Sequence, residues 1–279
     1  MLVVAGALHW DVVVRAPRLP REDETLRGMA VAYRFGGKGG NQAHAAARAG
    51  APVAFLGRVG ADAAGAAMAD TLAAAGIDIA ALQRGPGASG MSVAITEAGG
   101  SYGAVIVPGE NHALDTASLA LPRGARMLLL QNELAPEALP ALVAKGREAG
   151  LHVALNAAPA EGVGTWVLGA VDTLIVNRLE ALDILGAAPG SLTPAEMVEG
   201  LQGRAPRADV IVTLGAGGAA FARAGAPAAR ASAPKVTPVS THGAGDVFCG
   251  TWAAARLQGA DLAGAIARAQ EAAGAHVAA

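Results

Sequence analysis

The amino-acid sequence predicts an α/β protein, doubly wound around a mostly parallel sheet flanked by helices, with a small separate β-sheet. Three observations lead there. Short runs of β-branched and aliphatic residues alternate with alanine-rich, helix-forming stretches along most of the chain. The runs are apolar throughout rather than at every second position, which suits parallel strands covered on both faces. Two segments, about 12–35 and 91–109, break the alternation.

Taken in order, the first core strand is Leu2–Ala5. The opening MLVVAGALHWDVVV has no basic stretch before its apolar run and reaches Asp11 early, so it reads as a buried strand and not an export signal. The segment 12–35 holds the turn-rich RAPRLPREDETLRG. A helix is expected over Asn41–Ala49, a strand over Val53–Leu56 and a helix over Ala63–Ala75. Met91–Thr96 alternates, a Glu-Ala-Gly-Gly turn follows, and Ser101–Val107 returns, which together read as a hairpin. The two odd segments are expected to pair as one small sheet. Further strands are expected over Met127–Leu130, His152–Leu155, Thr173–Val176 and Val210–Leu214. Helices are expected over Ala135–Ala149, Leu179–Leu185, Pro194–Gln202 and Ala244–Leu257, and several expected helices are followed by Gly. No internal repeat or long low-complexity linker interrupts the 279 residues, so one domain is expected over 1–279.

Composition narrows the function. The chain is 53% hydrophobic and 16% charged, enough apolar residue to build a large core and too little charge for a disordered chain. Lys and Arg number 21 against 23 Asp and Glu, and no basic run tracks a phosphate backbone, so nucleic acid is a poor partner. Aromatic residues, at 3%, leave few stacking platforms for single strands. The longest stretch without Asp, Glu, Lys or Arg, Val210 to Ala222, is too short to span a bilayer, which takes about 20 apolar residues. A lone cysteine, Cys249, excludes an internal disulfide framework and a cysteine-rich metal site. These features point to a soluble, cytoplasmic protein that handles small metabolites.

Two glycine-rich sites carry the chemistry. In Phe35-Gly36-Gly37-Lys38-Gly39-Gly40-Asn41-Gln42-Ala43, glycines would let the backbone pass close to a bound polyol, while Lys38 and Asn41 offer donors at a helix N-terminus. The G-x-x-x-x-G-K frame of a Walker loop is absent, and a flexible turn before a helix accounts for the glycines equally well. In Ser240-Thr241-His242-Gly243-Ala244-Gly245-Asp246-Val247-Phe248, the turn through Gly243, Ala244 and Gly245 would expose successive N–H groups as an anion hole for a phosphoryl group. Asp246 then sits at the mouth, placed to take a hydroxyl proton; the bland alternative is a helix-capping Asp. Thr213, Gly215 and Gly218 follow a buried strand, where nucleotides bind in doubly wound sheets.

The motifs GGKGGNQA and THGAGDVF, about two hundred residues apart, resemble the two signatures of the ribokinase-like sugar kinases, the PfkB family. Between them, Gly57-Arg58-Val59-Gly60-Ala61-Asp62 and Leu155-Asn156-Ala157-Ala158-Pro159-Ala160 resemble internal family segments, so the likeness spans nearly the whole chain. The resemblance implies a ribokinase-like fold with a small β lid, formed here from about 12–35 and 91–109. It implies transfer of the γ-phosphate of ATP to a hydroxyl of a small, ribose-like sugar with Mg2+. It makes Asp246 the general base and Gly243, Ala244 and Gly245 the anion hole. Asp11, Gly37, Lys38, Gly39, Asn41 and Glu133 fall where the family holds sugar. Asn177, Thr213, Gly215 and Gly218 fall where it holds nucleotide, and Glu180 where it organises magnesium indirectly. A homodimer through the lid sheets is expected, since such a sheet exposes an apolar face.

The sequence also departs from the family. His9 stands where ribokinases have Asn, which opens the alternative of a nucleoside or other polyol kinase. Ser240 replaces an Asp that helps bind a monovalent cation, so K+ activation is left open. Asn177-Arg178-Leu179-Glu180 lacks the usual second acidic residue, and the family continues past the residue matching Ala279. A sugar-binding protein with weakened turnover is the second alternative these changes allow.

Overall fold

The computed structural model describes residues 1–97 and 102–279. The expected Glu-Ala-Gly-Gly turn and Ser101 lie, beyond Glu97, outside the described residues. The main sheet holds β1 (Leu2–Ala5), β4 (Val53–Gly60), β5 (Leu82–Gly85), β8 (Met127–Gln131), β9 (His152–Asn156), β10 (Thr173–Asn177), β11 (Asp209–Thr213), β12 (Ala219–Ala222) and β13 (Ala229–Ala231). A second sheet holds β2 (His9–Ala16), β3 (Ala30–Gly36), β6 (Met91–Glu97) and β7 (Tyr102–Val107). The helices are α1 (Lys38–Arg48), α2 (Ala63–Ala74), α3 (Ala138–Glu148), α4 (Thr165–Ala170), α5 (Arg178–Leu185), α6 (Pro194–Arg204), α7 (Ala244–Leu257) and α8 (Leu262–Ala278). No helix among the described residues is long and apolar enough to cross a membrane.

The main sheet runs β13-β12-β11-β10-β9-β8-β1-β4-β5, parallel except at β12 and β13. Its continuous apolar strands have the reason expected of them: both faces are covered. Val3, Leu128, Leu130, Leu174, Val176, Val210 and Val212 pack with α3, α4, α5 and α6. Leu2, Val4, Met127, Leu129, Ile175 and Ile211 point the other way, onto α1, α2, α7 and α8. Strand order reverses around β1, whose neighbours are β8 and β4, so a crevice opens beyond the carboxyl ends of β1 and β8.

The small sheet has the order β3-β2-β6-β7 and stands on that crevice, so the two irregular segments do pair with each other. Strand β2 begins three residues earlier than the irregular segment at 12–35 suggests, because His9, Trp10 and Asp11 already pair with Gly36, Phe35 and Arg34. Asn111, fully buried, pins the junction: its Oδ1 accepts from the Leu8 amide at 3.0 Å and its Nδ2 donates to the Leu8 and Pro108 carbonyls.

Several boundaries differ from expectation. Helix α1 starts at Lys38, so Gly39 and Gly40 are helical residues and not loop. Helix α3 begins at Ala138, and α4, α8, β5, β12 and β13 carry no signal that the sequence reading picked up. Helix α8 has an Asp261 N-cap bonded to the Gly264 amide, and its buried face sets Leu262 and Ile266 among Ala265, Ala269, Gln270 and Gly274, two large apolar residues in an alanine-rich stretch.

One contact fixes the site from a distance. On α7, a Cβ built on Gly250 would lie 2.3 Å from the Gln42 carbonyl oxygen and 2.8 Å from the Ala45 Cβ. Glycine there lets α7 press against the backbone of α1, and Asp246 lies one turn earlier on the same helix. Gly250→Ala is expected to lose roughly 1–3 kcal/mol in chemical denaturation, as overpacked sites do. Gly203→Ala on α6, with no atom within 4 Å of its added methyl, is expected to be neutral or stabilising by up to about 1 kcal/mol.

Candidate active site

The N-termini of α1 and α7 meet beneath the small sheet. Gly243 caps α7 in the left-handed region (φ 75°), and the Ala244 amide bonds back to Thr241. The amides of Gly245 and Asp246 have no protein acceptor among the described residues. Open space lies beyond Gly245. Free donors at a helix N-terminus make a seat for negative charge.

Asp246 is buried. Its Oδ2 accepts from Asn41 Nδ2 at 3.1 Å and its Oδ1 from Gln42 Nε2 at 3.0 Å, both from α1. Lys38, the first residue of α1, is also enclosed. Burial opposes its charge, but the nearby carboxylates of Asp246, Glu133 and Glu180 outweigh burial and raise its pKa. The Lys38 amide donates to Glu133 Oε2 at 2.7 Å. Burial pushes the Glu133 carboxyl up to about 7, against the Lys38 amide and ammonium, which pull it down.

Two cavities meet at this point. The smaller, about 200 Å³, is lined by Lys38, Asn156, Asn177, Glu180, Thr213, Gly243, Gly245 and Asp246. The larger, about 720 Å³, reaches outward under the small sheet past Asp11, Asn41, His44 and Gly243. Gly243 belongs to both, and Asn41 in the wall of the larger touches Asp246 in the wall of the smaller. Asp11 is held by Ser92, whose Oγ donates to its Oδ1 at 2.6 Å.

Of the residues singled out from sequence, Asp246, Gly243, Gly245, Lys38, Asn177, Glu180, Thr213, Asp11 and Asn41 line one cavity or the other. Gly37, Gly39, Glu133, Ala244, Gly215 and Gly218 do not. The reason for glycine in the first motif is therefore different from the expected one. A Cβ on Gly37 would sit 2.6 Å from the Ala7 oxygen, and one on Gly39 would sit 2.7 Å from the Gly6 carbonyl carbon. These glycines let α1 lie against the end of β1; their bare sides face protein, not a ligand. Asn177 and Glu180 form a capping box at the start of α5, with Asn177 N–H donating to Glu180 Oε2 at 2.7 Å. Glu180 Oε1 has no protein partner among the described residues, and burial raises this carboxyl too. Among the described residues no three His, Cys, Asp or Glu side chains gather as a metal site.

Gln42 and Asn156, not singled out from sequence, also stand at the site: Gln42 binds both Asp246 and Asn156. The signal was present: Gln42 is a polar residue on the buried face of α1 beside Ala43 and Ala46, and Asn156 ends an apolar strand inside LNAAPA. Cys249 is buried one turn behind Asp246, where desolvation pushes its thiol well above the usual range.

Comparison with known proteins agrees with this geometry. Residues 1–279 match the family model described as pfkB family carbohydrate kinase. The chain is 31% identical to the ribokinase of Schizosaccharomyces pombe, over 94% of this chain and 86% of that one. It is 30% identical to the ribokinase of Arabidopsis thaliana, over 92% of this chain and 71% of that one. Among solved structures, the ribokinase of Thermotoga maritima superposes with a TM-score of 0.91 at 25% identity, covering 100% of this chain and 93% of the other. Arabidopsis thaliana ribokinase in complex with ribose and ATP gives 0.88 at 27% identity, covering 99% and 92%.

The raised Glu133 pKa has a measurable consequence. Between about 4.5 and 7 the folded protein keeps a proton that the unfolded chain releases, so this group's stabilising contribution falls as pH rises through that window. In denaturant melts, wild type should lose stability relative to Glu133→Gln on going from about pH 5 to pH 8, by at most about 3 kcal/mol. A difference that stays flat with pH would show the carboxyl to be ionised throughout.

Proposed function

Because the chain belongs to the pfkB family of carbohydrate kinases and is a phosphotransferase of the ribokinase-like type, we propose that it moves the γ-phosphate of ATP to a hydroxyl of a small, ribose-like sugar, with Asp246 as general base. The observation that carries this reading is that the two cavities share Gly243, and that Asp246 in the wall of the smaller is bonded to Asn41 in the wall of the larger. The larger takes the sugar beneath the small sheet, which acts as a lid, and the smaller takes the transferring phosphoryl group. The sugar is held by Asp11, Lys38 and Asn41, with Glu133 behind Lys38 and the glycines at 37 and 39 setting the cradle's backbone.

The sugar hydroxyl attacks the γ-phosphorus as the bond to the β-phosphate oxygen breaks. Asp246 Oδ2 accepts the hydroxyl proton, and ADP departs. The turn through Gly243, Ala244 and Gly245 provides the anion hole through the free N–H groups of Gly245 and Asp246, the Ala244 amide being held by the Thr241 carbonyl. Lys38 stays cationic in this setting and balances the charge. The nucleotide runs past Asn177 and Thr213 toward Gly215 and Gly218. Magnesium, which usually enters with the phosphates and keeps several waters, would add neutralising charge there, and the free oxygen of Glu180 fits an outer, water-mediated contact. K+ dependence stays open at Ser240, whose Oγ accepts from the His242 amide.

A nucleoside acceptor is the second reading. The larger cavity is roomy for a pentose alone, and His9 is buried beside the cradle with an unpartnered Nε2.

The lid supports a homodimer. Across its strands, Val31, Val14 and Ile95 align in one row and Tyr33, Val12, Val93 and Val105 in the next, all on one face. Asp11, Arg34 and Ser92 occupy the other face, toward the larger cavity. Val31, Tyr33 and Val105 are more than half exposed, an apolar surface that a second lid would cover.

Asp246→Asn is expected to lower kcat by about 10²–10⁴-fold with KM for the sugar nearly unchanged. Full turnover in that variant would remove Asp246 as the base. ADP release measured over pentoses, hexoses and nucleosides, with and without K+, separates the two acceptor readings: ribose outrunning the nucleosides excludes the second. Val105→Glu should shift the sedimentation coefficient from dimer to monomer; an unchanged coefficient excludes pairing through this face.

A further inference from the structure

Gln42 makes three hydrogen bonds and is completely buried. Its Nε2 donates both to Asp246 Oδ1 and to Asn156 Oδ1, each at 3.0 Å, and its Oε1 accepts from Gln131 Nε2 at 2.7 Å. Asn156 in turn donates from Nδ2 to the Ile175 carbonyl at 3.1 Å. Gln131 and Asn156 are paired residues at the ends of β8 and β9.

A side-chain amide can turn over and exchange its donor for its acceptor, but this chain of amides cannot. The Ile175 carbonyl only accepts, so Asn156 must offer it Nδ2 and turn Oδ1 toward Gln42. Gln42 must then present Nε2, whose two hydrogens go to Asn156 and to Asp246. Its remaining Oε1 demands Nε2 from Gln131. That leaves Gln131 Oε1 buried with no partner among the described residues. It also stands so close to Gly6 that a Cβ there would be 2.0 Å away. Buried polar atoms rarely stay unsatisfied, but turning Gln131 over would set its Oε1 against Gln42 Oε1. The direction of the whole chain is imposed from its two ends, the Ile175 carbonyl and the Asp246 carboxylate, which only accept.

We propose that Gln42, oriented by Asn156 and Gln131, is a positioning residue for phosphotransfer: it commits Oδ1 of Asp246 to a fixed donor and leaves Oδ2, beside Asn41, as the atom that takes the sugar's proton. The assignment rests on Asp246 being the general base. Gln42 is in the wall of neither cavity, so it acts through the carboxylate and not on the substrate. With Oδ1 occupied, the carboxylate cannot rotate about its own axis to exchange oxygens, and its remaining lone pair is aimed where the acceptor lies.

The test is a double-mutant cycle. Gln42→Met, which keeps length without donors, should lower kcat about 10–100-fold with sugar KM within about threefold. Introduced into Asp246→Asn, the same change should cost less than about twofold, because the carboxylate it orients is gone. Gln131→Met, further from the reaction, should lower kcat about 3–10-fold and likewise lose its effect in the Asp246→Asn background. It stands in if Gln42→Met does not fold by thermal unfolding. Equal losses in both backgrounds, or an unchanged kcat in the single variants, would overturn the positioning role alone. Full activity of Asp246→Asn would overturn the base assignment and this proposal with it.

Discussion

The site depends on how closely α7 can approach α1. Gly250 lies against the Gln42 carbonyl at a spacing that no side chain would permit, and small residues, Ala45 and Ala46, complete the seam. Because Asp246 is one turn before Gly250, this packing delivers its carboxylate to Asn41 and Gln42. It also delivers two helix N-termini to one point. Both present partial positive charge there, and α7 adds the free amides of Gly245 and Asp246, a setting that holds a buried carboxylate and suits the phosphoryl group we propose. A core contact between two alanine-rich helices thus decides where chemistry can happen.

Charge is distributed accordingly. Lys38 is the cation that Asp246, Glu133 and Glu180 surround, and its raised pKa measures that attraction after burial has been overcome. Glu133 is the counterpart whose burial wins. The two are joined through the Lys38 amide, so the walls of the proposed sugar cradle and phosphate seat are one electrostatic unit. Membership in the pfkB family fits this arrangement, since positioning and fixed charge are what phosphoryl transfer demands of a protein.

Much of this was legible in the amino-acid order. The core strands β1, β8, β9, β10 and β11 were readable to within a residue or two because burial on both faces leaves an uninterrupted apolar run. The glycine motifs mark the starts of α1 and α7, and Asp246 and Asn41 do come together. What the order could not say is which way a glycine's bare side faces: at Gly37 and Gly39 it faces protein backbone. Strands β12 and β13 at one end of the sheet are short and alanine-rich, and α8 has only Leu262 and Ile266 as large apolar residues on its buried face, so their patterns are weak in an alanine-rich chain. Gln42 and Asn156 were invisible as partners because they lie 114 positions apart and meet only through the sheet.

The lid's two faces have incompatible duties. Along β2, Asp11 looks into the larger cavity while its neighbours Val12 and Val14 share the apolar side with Tyr33 and Val93. Since side chains alternate strictly along a strand, adding or deleting one residue between Trp10 and Val14 would swap the two sides wholesale, turning valine to the larger cavity and aspartate to solvent. Point changes along this strand can be absorbed one at a time, whereas changes of length cannot. Changes of length are accommodated instead in the exposed connection between Ala16 and Ala30, which can grow or shrink without shifting the register of either strand.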